Sequence, residues 1–253
     1  MQLRSPARAP GEAFAGQRHH RAWVITLHLL GGAVAIWIVL TVLGLFLTHV
    51  FDKGAVYRAD LGVDVWFAHH RSPGWNSVML FGTDLARTQT VIAVAAAAAL
   101  LLRWRLKRWY ESCIVIAAVA GEVLIFLAVT ETVPQRRPPV PRLQAAPATS
   151  SYPSGHTAAA LALYGCLAIL LLWYVSRPGL RWLAALLFCI PVYVGISRLY
   201  EGEHYPSDVI AGALLGGLWL TCVLRTLRPA ADQLPARGRV RLRDMYRRKL
   251  ERA

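Results

Sequence analysis

Ser150-Ser151-Tyr152-Pro153-Ser154-Gly155-His156-Thr157 separates a proline-rich connection from a long apolar run that begins at Thr157. Proline suits the first turn of a helix, where its missing N–H costs little, so Pro153 marks a helix start. Ser154 and Gly155 are small and leave the backbone amides near that start accessible. Such an N-terminus presents free N–H groups and a partial positive charge, which suits an anion and above all a phosphate. His156 adds a titratable imidazole at the same place. Taken alone, the stretch fits equally well an ordinary cap on a membrane helix, because short motifs recur by chance. The rest of the chain decides between the two.

Of 253 residues, 56% are hydrophobic, and the mean hydropathy is +0.41. That is too apolar for a water-soluble domain of this length and implies several membrane-spanning helices. The net charge is +14, from 28 Lys and Arg against 14 Asp and Glu. A basic chain can serve nucleic acid, but here the charge gathers at the chain ends and at short turns. Membrane orientation explains that distribution, so the expected partners are a bilayer and no nucleic acid. The four cysteines fall inside apolar runs without metal-ligand spacing, and are expected to be buried small residues rather than a disulfide framework or a zinc site.

Read in order, residues 1–21 are polar, with Pro6, Pro10 and four arginines, and are expected to form a disordered basic tail in the cytoplasm. Residues 22–227 form one membrane domain, and residues 228–253 a second basic cytoplasmic tail. The fold expected is all-α and polytopic, with six transmembrane helices. The first runs from Ala22 to about Val50. Residues 51–75 follow, where Val63, Trp66, Phe67 and Trp75 suggest a short segment lying in the membrane interface. The second helix starts between Asn76 and Thr88 and ends near Leu102, its boundary blurred by Gly82, Thr83 and Asp84. The others run from about Trp109 to Val133, Thr157 to Val175, Leu180 to Ile196 and Ser207 to Leu227. Glu122 lies deep in the third helix, where a structural role as a protonated or hydrogen-bonded group is expected. The N-terminal tail, the 103–108 turn, the Arg177–Arg181 turn and the chain from Arg225 onward hold 20 of the 28 Lys and Arg. By the positive-inside rule these segments are cytoplasmic, which places both termini inside and the 134–156 and 197–208 connections outside a plasma membrane.

Those two connections carry the polar chemistry. Ser197-Arg198-Leu-Tyr-Glu-Gly-Glu-His204-Tyr-Pro-Ser-Asp208 sets His204 and Asp208 four residues apart at a helix start. A carboxylate there is within reach of one imidazole nitrogen, which leaves the other as nucleophile or base. Arg198 and Arg137 are planar, permanently charged forks suited to phosphate oxygens. Each residue alone has an ordinary interfacial explanation. Two histidines, an aspartate, two arginines and two helix starts on one side do not.

At these residues the chain resembles the type 2 phosphatidic acid phosphatase superfamily of integral membrane lipid phosphatases. That family shows three blocks: lysine, six residues, then Arg-Pro; Pro-Ser-Gly-His; and Ser-Arg, five residues, His, three residues, Asp. The second block is complete at Pro153–His156 and the third from Ser197 to Asp208. The first departs: Arg137-Pro138 supplies its end, but Thr130 stands where the family has lysine, and Arg136 or Arg142 is the candidate to compensate. The resemblance implies catalysis by His204, His156 and Asp208. His204 takes the phosphoryl group, Asp208 steadies its ring, and His156 protonates the leaving oxygen and then activates water. It further implies substrate binding by Arg137, Arg198, Ser154 and the amide of Gly155, joined by Arg136. No metal and no cofactor are expected. The implied substrate is a lipid phosphate or diphosphate, such as an isoprenyl diphosphate, phosphatidic acid or phosphatidylglycerophosphate. A phosphotransferase using the same phosphohistidine, or a silent lipid-binding or transport protein, are the alternatives.

Overall fold

Inside a bilayer every backbone N–H and C=O must find its partner within its own segment, so long apolar runs fold as helices. The computed structural model describes residues 10–49, 54–145, 149–175 and 177–227, and the regular structure among them is helical with no strand. The α-helices follow as α1 (Pro10–His49), α2 (Ala55–His69), α3 (Pro73–Asp84), α4 (Thr88–Leu106), α5 (Tyr110–Thr132), α6 (Gly155–Tyr174), α7 (Arg181–Tyr200) and α8 (Pro206–Thr226). Among the described residues six stretches are long and apolar enough to cross a membrane: Ala22–His49 of α1, and the whole of α4, α5, α6, α7 and α8.

Two boundaries and the burial of the cysteines differ from the sequence expectation. α1 begins at Pro10, so residues 10–21 continue the first helix instead of forming a loose tail. Glu12, Ala13, Ala15, Gln17 and Arg18 are good helix formers, and the spanning helix supplies the nucleus they would lack alone. Residues 1–9 and the basic tail 228–253 lie outside the described residues. The second apolar run is two helices: α3 ends at Asp84, and α4 restarts after a bend whose last residue, Arg87, is extended. The cysteines are free, but only Cys166 is buried, while Cys113 and Cys189 are exposed. A spanning helix has a lipid-facing side, so an apolar setting in sequence does not require an interior one.

α6 is the central helix and packs on α4, α5, α7 and α8. Its buried side is rich in small residues, including Ala158, Ala160, Ala162 and Cys166, alongside Leu163, Tyr164 and Leu170. Small side chains let membrane helices approach closely, which substitutes for a hydrophobic driving force that lipid does not provide. The approach is closest at α8, where a Cβ on Gly212 would stand 2.3 Å from the Ser154 carbonyl oxygen. Leu124, Ile92, Leu100, Val192 and Ile210 point outward, onto the surface that lipid covers. At the end of the bundle holding the 107–109 turn, Arg108 holds the buried Glu111 at 2.6 and 3.1 Å, and the Tyr174 hydroxyl donates to the same carboxylate. Glu122 is buried in α5, and its Oε2 has no hydrogen-bond partner among the described residues.

α2 and α3 lie across the opposite end. α2 packs on α7 and α8 with Val63 and Trp66 exposed, as an interfacial segment requires, and turns Asp64 fully inward. α3 crosses α7, with Asn76 on the Tyr200 hydroxyl and Thr83 on the Arg198 guanidinium. Both helices roof the connections that carry the polar motifs.

Candidate active site

Pro153 does not enter α6. Ser154 is the N-cap and Gly155 the first helical residue, because the Ser154 N–H donates to the Asp208 carbonyl at 2.9 Å and ties this position to α8. The Ser154 hydroxyl is fully buried and lies 3.0 Å from Thr157 Oγ1, so it does not cap the helix. The first amides of α6, at Gly155 and His156, are therefore left without a side-chain cap. His156 is the second helical residue and is half-buried.

His204 is buried between α7 and α8, and its Nδ1 lies 2.7 Å from the Ser151 carbonyl oxygen. A carbonyl only accepts, so Nδ1 carries the proton and Nε2 keeps its lone pair. The expected direct contact with Asp208 is looser than the spacing suggested, at 3.8 Å from Nδ1. Asp208 instead accepts from the Ser151 hydroxyl at 2.5 Å and from the Tyr205 N–H at 3.0 Å. The carboxylate is drawn away from the ring because the α8 N-terminus and Ser151 both offer it donors. It holds the residue that holds His204.

The two arginines of the motifs converge, linked by a carboxylate. Arg137 Nη1 donates to the Glu203 side chain and to its carbonyl, both at 2.9 Å. Arg198 Nη1 donates to Glu201 at 2.9 Å and to Thr83 at 3.2 Å, and its Nη2 lies 3.6 Å from Glu203. The Nε of each arginine is buried without a hydrogen-bond partner among the described residues. His156 lies close enough to His204, Arg198 and Arg137 to interact with all three electrostatically. Arg136 stands apart from this group, exposed on the far side of Arg137.

Burial, reinforced by the charges of Arg198 and Arg137, holds the His204 imidazole well below its ordinary 6.5, so the ring is neutral and its Nε2 available. Burial likewise raises Glu201 against the opposing pull of Arg198 and Thr83. Burial lowers Arg137 too, with Glu203 opposing, and the guanidinium stays charged. Among the described residues no three His, Cys, Asp or Glu side chains are grouped to hold a metal ion.

Sequence reasoning missed Ser151, Thr83, Glu201, Glu203 and Arg71. Glu201 and Glu203 carried a signal, since two acids set between an arginine and a histidine of one motif have nowhere to go but those cations. Thr83 and Arg71 carried none. Arg71 donates to the carbonyls of Tyr200, at 2.9 Å, and Pro141, at 2.6 Å, and so ties the two connections together.

Residues 128–231 match the family model described as the PAP2 superfamily. The undecaprenyl-diphosphatase of Sulfolobus acidocaldarius is 34% identical over 152 residues, which cover 58% of this chain and 67% of that protein. The lipid A 1-phosphatase of Porphyromonas gingivalis is 38% identical over 80 residues, 29% of this chain but only 17% of that protein's length. The crystal structure of a transmembrane PAP2 type phosphatidylglycerolphosphate phosphatase from Bacillus subtilis aligns with a TM-score of 0.64 at 25% identity, over 76% of this chain and 93% of that one.

Proposed function

The chain belongs to the PAP2 superfamily, and from that premise we propose that it hydrolyses the phosphate or diphosphate head group of a membrane lipid through a phosphohistidine on His204. The observation that carries this reading is the commitment of His204 Nδ1 to the Ser151 carbonyl, which leaves a neutral Nε2 on a ring within the electrostatic reach of Arg198 and Arg137. Nε2 attacks phosphorus, the bond from phosphorus to the leaving oxygen breaks, and His156 gives that oxygen its proton. Water then attacks the phosphohistidine, His156 takes a proton from it, and the P–N bond breaks to release inorganic phosphate. Arg137 and Arg198, with the free amides of α6, neutralise the charge that grows on the equatorial oxygens. Positive charge at the site comes from arginines, so activity is expected to survive EDTA.

The test is trapping. Full-length protein in detergent, given a 32P-labelled lipid phosphate and quenched in alkali, should carry alkali-stable, acid-labile label, and the His204→Ala protein should carry none. Turnover by His204→Ala at the parent rate would refute the assignment. The distribution of Lys and Arg supports a site outside the plasma membrane with both termini inside. Cysteine at exposed Arg142 should then react with an impermeant thiol reagent in intact cells and cysteine at Lys107 should not. The reverse pattern would invert this topology.

A further inference from the structure

The bend between α3 and α4 carries none of the polar motifs, yet it is tied to every segment that does. Thr83 accepts from Arg198 of α7 at 3.2 Å and donates to Glu201 at 2.5 Å. The Leu85 carbonyl accepts from the Tyr164 hydroxyl at 2.7 Å, on the helix that bears His156. Arg87 ends the bend, and its Nη2 donates to Gln144 of the 134–156 connection at 3.1 Å. Held on these three sides, Arg87 brings its charge within electrostatic reach of both His156 and Arg198. The cations acting on His204 are instead Arg198 and Arg137. Arg87 therefore stands on the His156 side of the site.

A phosphate dianion needs that charge. Arg137 and Arg198 face Glu203 and Glu201, two buried carboxylates that balance them. Thr130, standing where the family shows lysine, is buried with its hydroxyl unpartnered among the described residues and brings no charge. Arg136 is set apart from the site, and Arg142 acts on Arg137. Arg87 has a counter-ion of its own, Asp84 at 2.8 Å, but the two side chains are 48% and 47% exposed. An exposed ion pair contributes little and exchanges partners readily, whereas parting a buried pair leaves a charge stranded. An arriving dianion thus recruits Arg87 at lower cost than either motif arginine.

We propose that Arg87 is a further phosphate-binding residue of this chain: its guanidinium exchanges Asp84 for an oxygen of the bound lipid phosphate on the His156 side, and supplies the positive charge that Thr130 does not. A guanidinium fork matches phosphate oxygens in geometry as well as in charge. Asp84 acts as its holder while no phosphate is bound, and Gln144 keeps it at the connection that leads to His156. This rests on the phosphatase reading above and adds a residue to its binding site.

The test uses the full chain in detergent, with phosphatidic acid and farnesyl diphosphate as substrates and inorganic phosphate as inhibitor. Arg87→Gln should raise KM and weaken phosphate inhibition, each about tenfold, the factor that 1.4 kcal/mol supplies, while Tm stays unchanged. Arg87→Lys keeps the charge and should recover most of both. Asp84→Asn frees the guanidinium and should strengthen phosphate inhibition. KM and phosphate inhibition unmoved in Arg87→Gln, or lost in Arg142→Gln instead, would overturn the inference and leave the phosphatase reading standing. Phosphate inhibition weakened in Asp84→Asn as in Arg87→Gln would mean that the pair only braces the bend, which also overturns it. A parent protein that hydrolyses neither lipid would instead overturn the phosphatase reading itself.

Discussion

Glu203→Gln removes one charge from the middle of the site and keeps the shape of the side chain. Glu203 is 1% exposed, with Oε2 at 2.9 Å from Arg137 and 3.6 Å from Arg198. At an effective dielectric constant of about 20, the two attractions are about 6 and about 5 kcal/mol. Most of this offsets the desolvation of the ions. What matters is the cost of leaving a cation behind, about 3–5 kcal/mol when one partner of a buried pair is removed. Arg198 retains Glu201, so the loss falls mainly on Arg137, which keeps only the Glu203 carbonyl and a neutral amide. The lower half of that range is therefore expected. At about 2–4 °C per kcal/mol for a chain of this size, Tm should fall by about 6–15 °C.

The same change should favour phosphate. Glu203 occupies the arginines that a phosphate dianion would need, and its carboxylate repels that dianion. Without it, inorganic phosphate should inhibit about tenfold more strongly, and should restore thermal stability to the variant. Binding to the folded state alone restores about 2.7 kcal/mol at a hundred times Kd. The assay is thermal unfolding of parent and Glu203→Gln protein in one detergent, with phosphate titrated against a sulfate control. An unchanged Tm would show that Glu203 is not a structural counter-ion. A lowered Tm that phosphate does not recover would show that the arginines it releases do not bind phosphate.

The depressed His204 pKa fixes a pH dependence. A lowered pKa keeps the imidazole neutral as pH falls through 6.5, so single-turnover labelling of His204 should hold its rate from pH 7.5 to 6 and decline only below. A half-maximal rate at pH 6.5 would contradict it. Ser151→Ala should cut the rate by about 10- to 100-fold, since an unmet buried acceptor costs about 1–3 kcal/mol and Asp208 Oδ1 is already unpaired. A rate within twofold of the parent would count against that link. Gly212→Ala forces a methyl to within 2.3 Å of the Ser154 carbonyl, so it should lose about 1–3 kcal/mol of stability and most of the activity. Gly62→Ala, with open space around it, should lose neither, and equal behaviour of the two variants would refute the packing argument.

The six spans were legible because apolar length is a direct consequence of the bilayer, and the boundaries missed are those that no bilayer sets. The restart of the second span after Arg87 goes with Thr83 meeting Arg198 of α7 and Asp84 pairing with Arg87 at 2.8 Å, contacts that sequence periodicity does not encode. The two intact blocks named the histidines, Arg198 and Asp208, and the end of the incomplete first block named Arg137, because motif spacing transmits chain-local geometry. It cannot transmit what crosses from another segment. Thr83, 115 residues before Arg198, enters only because α3 is laid across α7. The apolar residues Val63 and Trp66 marked α2 as interfacial, and they are exposed; what the pattern did not announce is that the polar side of α2 turns Asp64 into the protein.

Asp208 shows why the difference matters for mechanism. Four-residue spacing suggested a carboxylate bound to the imidazole, where substitution by asparagine acts on the ring directly. The geometry routes the effect through Ser151: the hydroxyl donates to Asp208, the carbonyl of the same residue accepts from His204, and the Ser154 amide donates to the Asp208 carbonyl. One aspartate thus fixes the helix start that bears His156 and the backbone that orients His204. Asp208→Asn keeps an oxygen that can accept from the Ser151 hydroxyl and the Tyr205 amide, so His204 keeps its tautomer. What it loses is the negative charge 3.8 Å from an imidazole that becomes cationic when phosphorylated. At an effective dielectric constant of about 20 that charge contributes about 4 kcal/mol to the phosphohistidine, an upper bound of about a thousandfold in rate. Ser151→Ala keeps the charge and loosens the orientation. The two variants should therefore differ in kind: Asp208→Asn lowers accumulation of labelled histidine, whereas Ser151→Ala slows its formation but preserves its stability. Identical labelling kinetics in the two would mean that Asp208 acts on His204 only through Ser151.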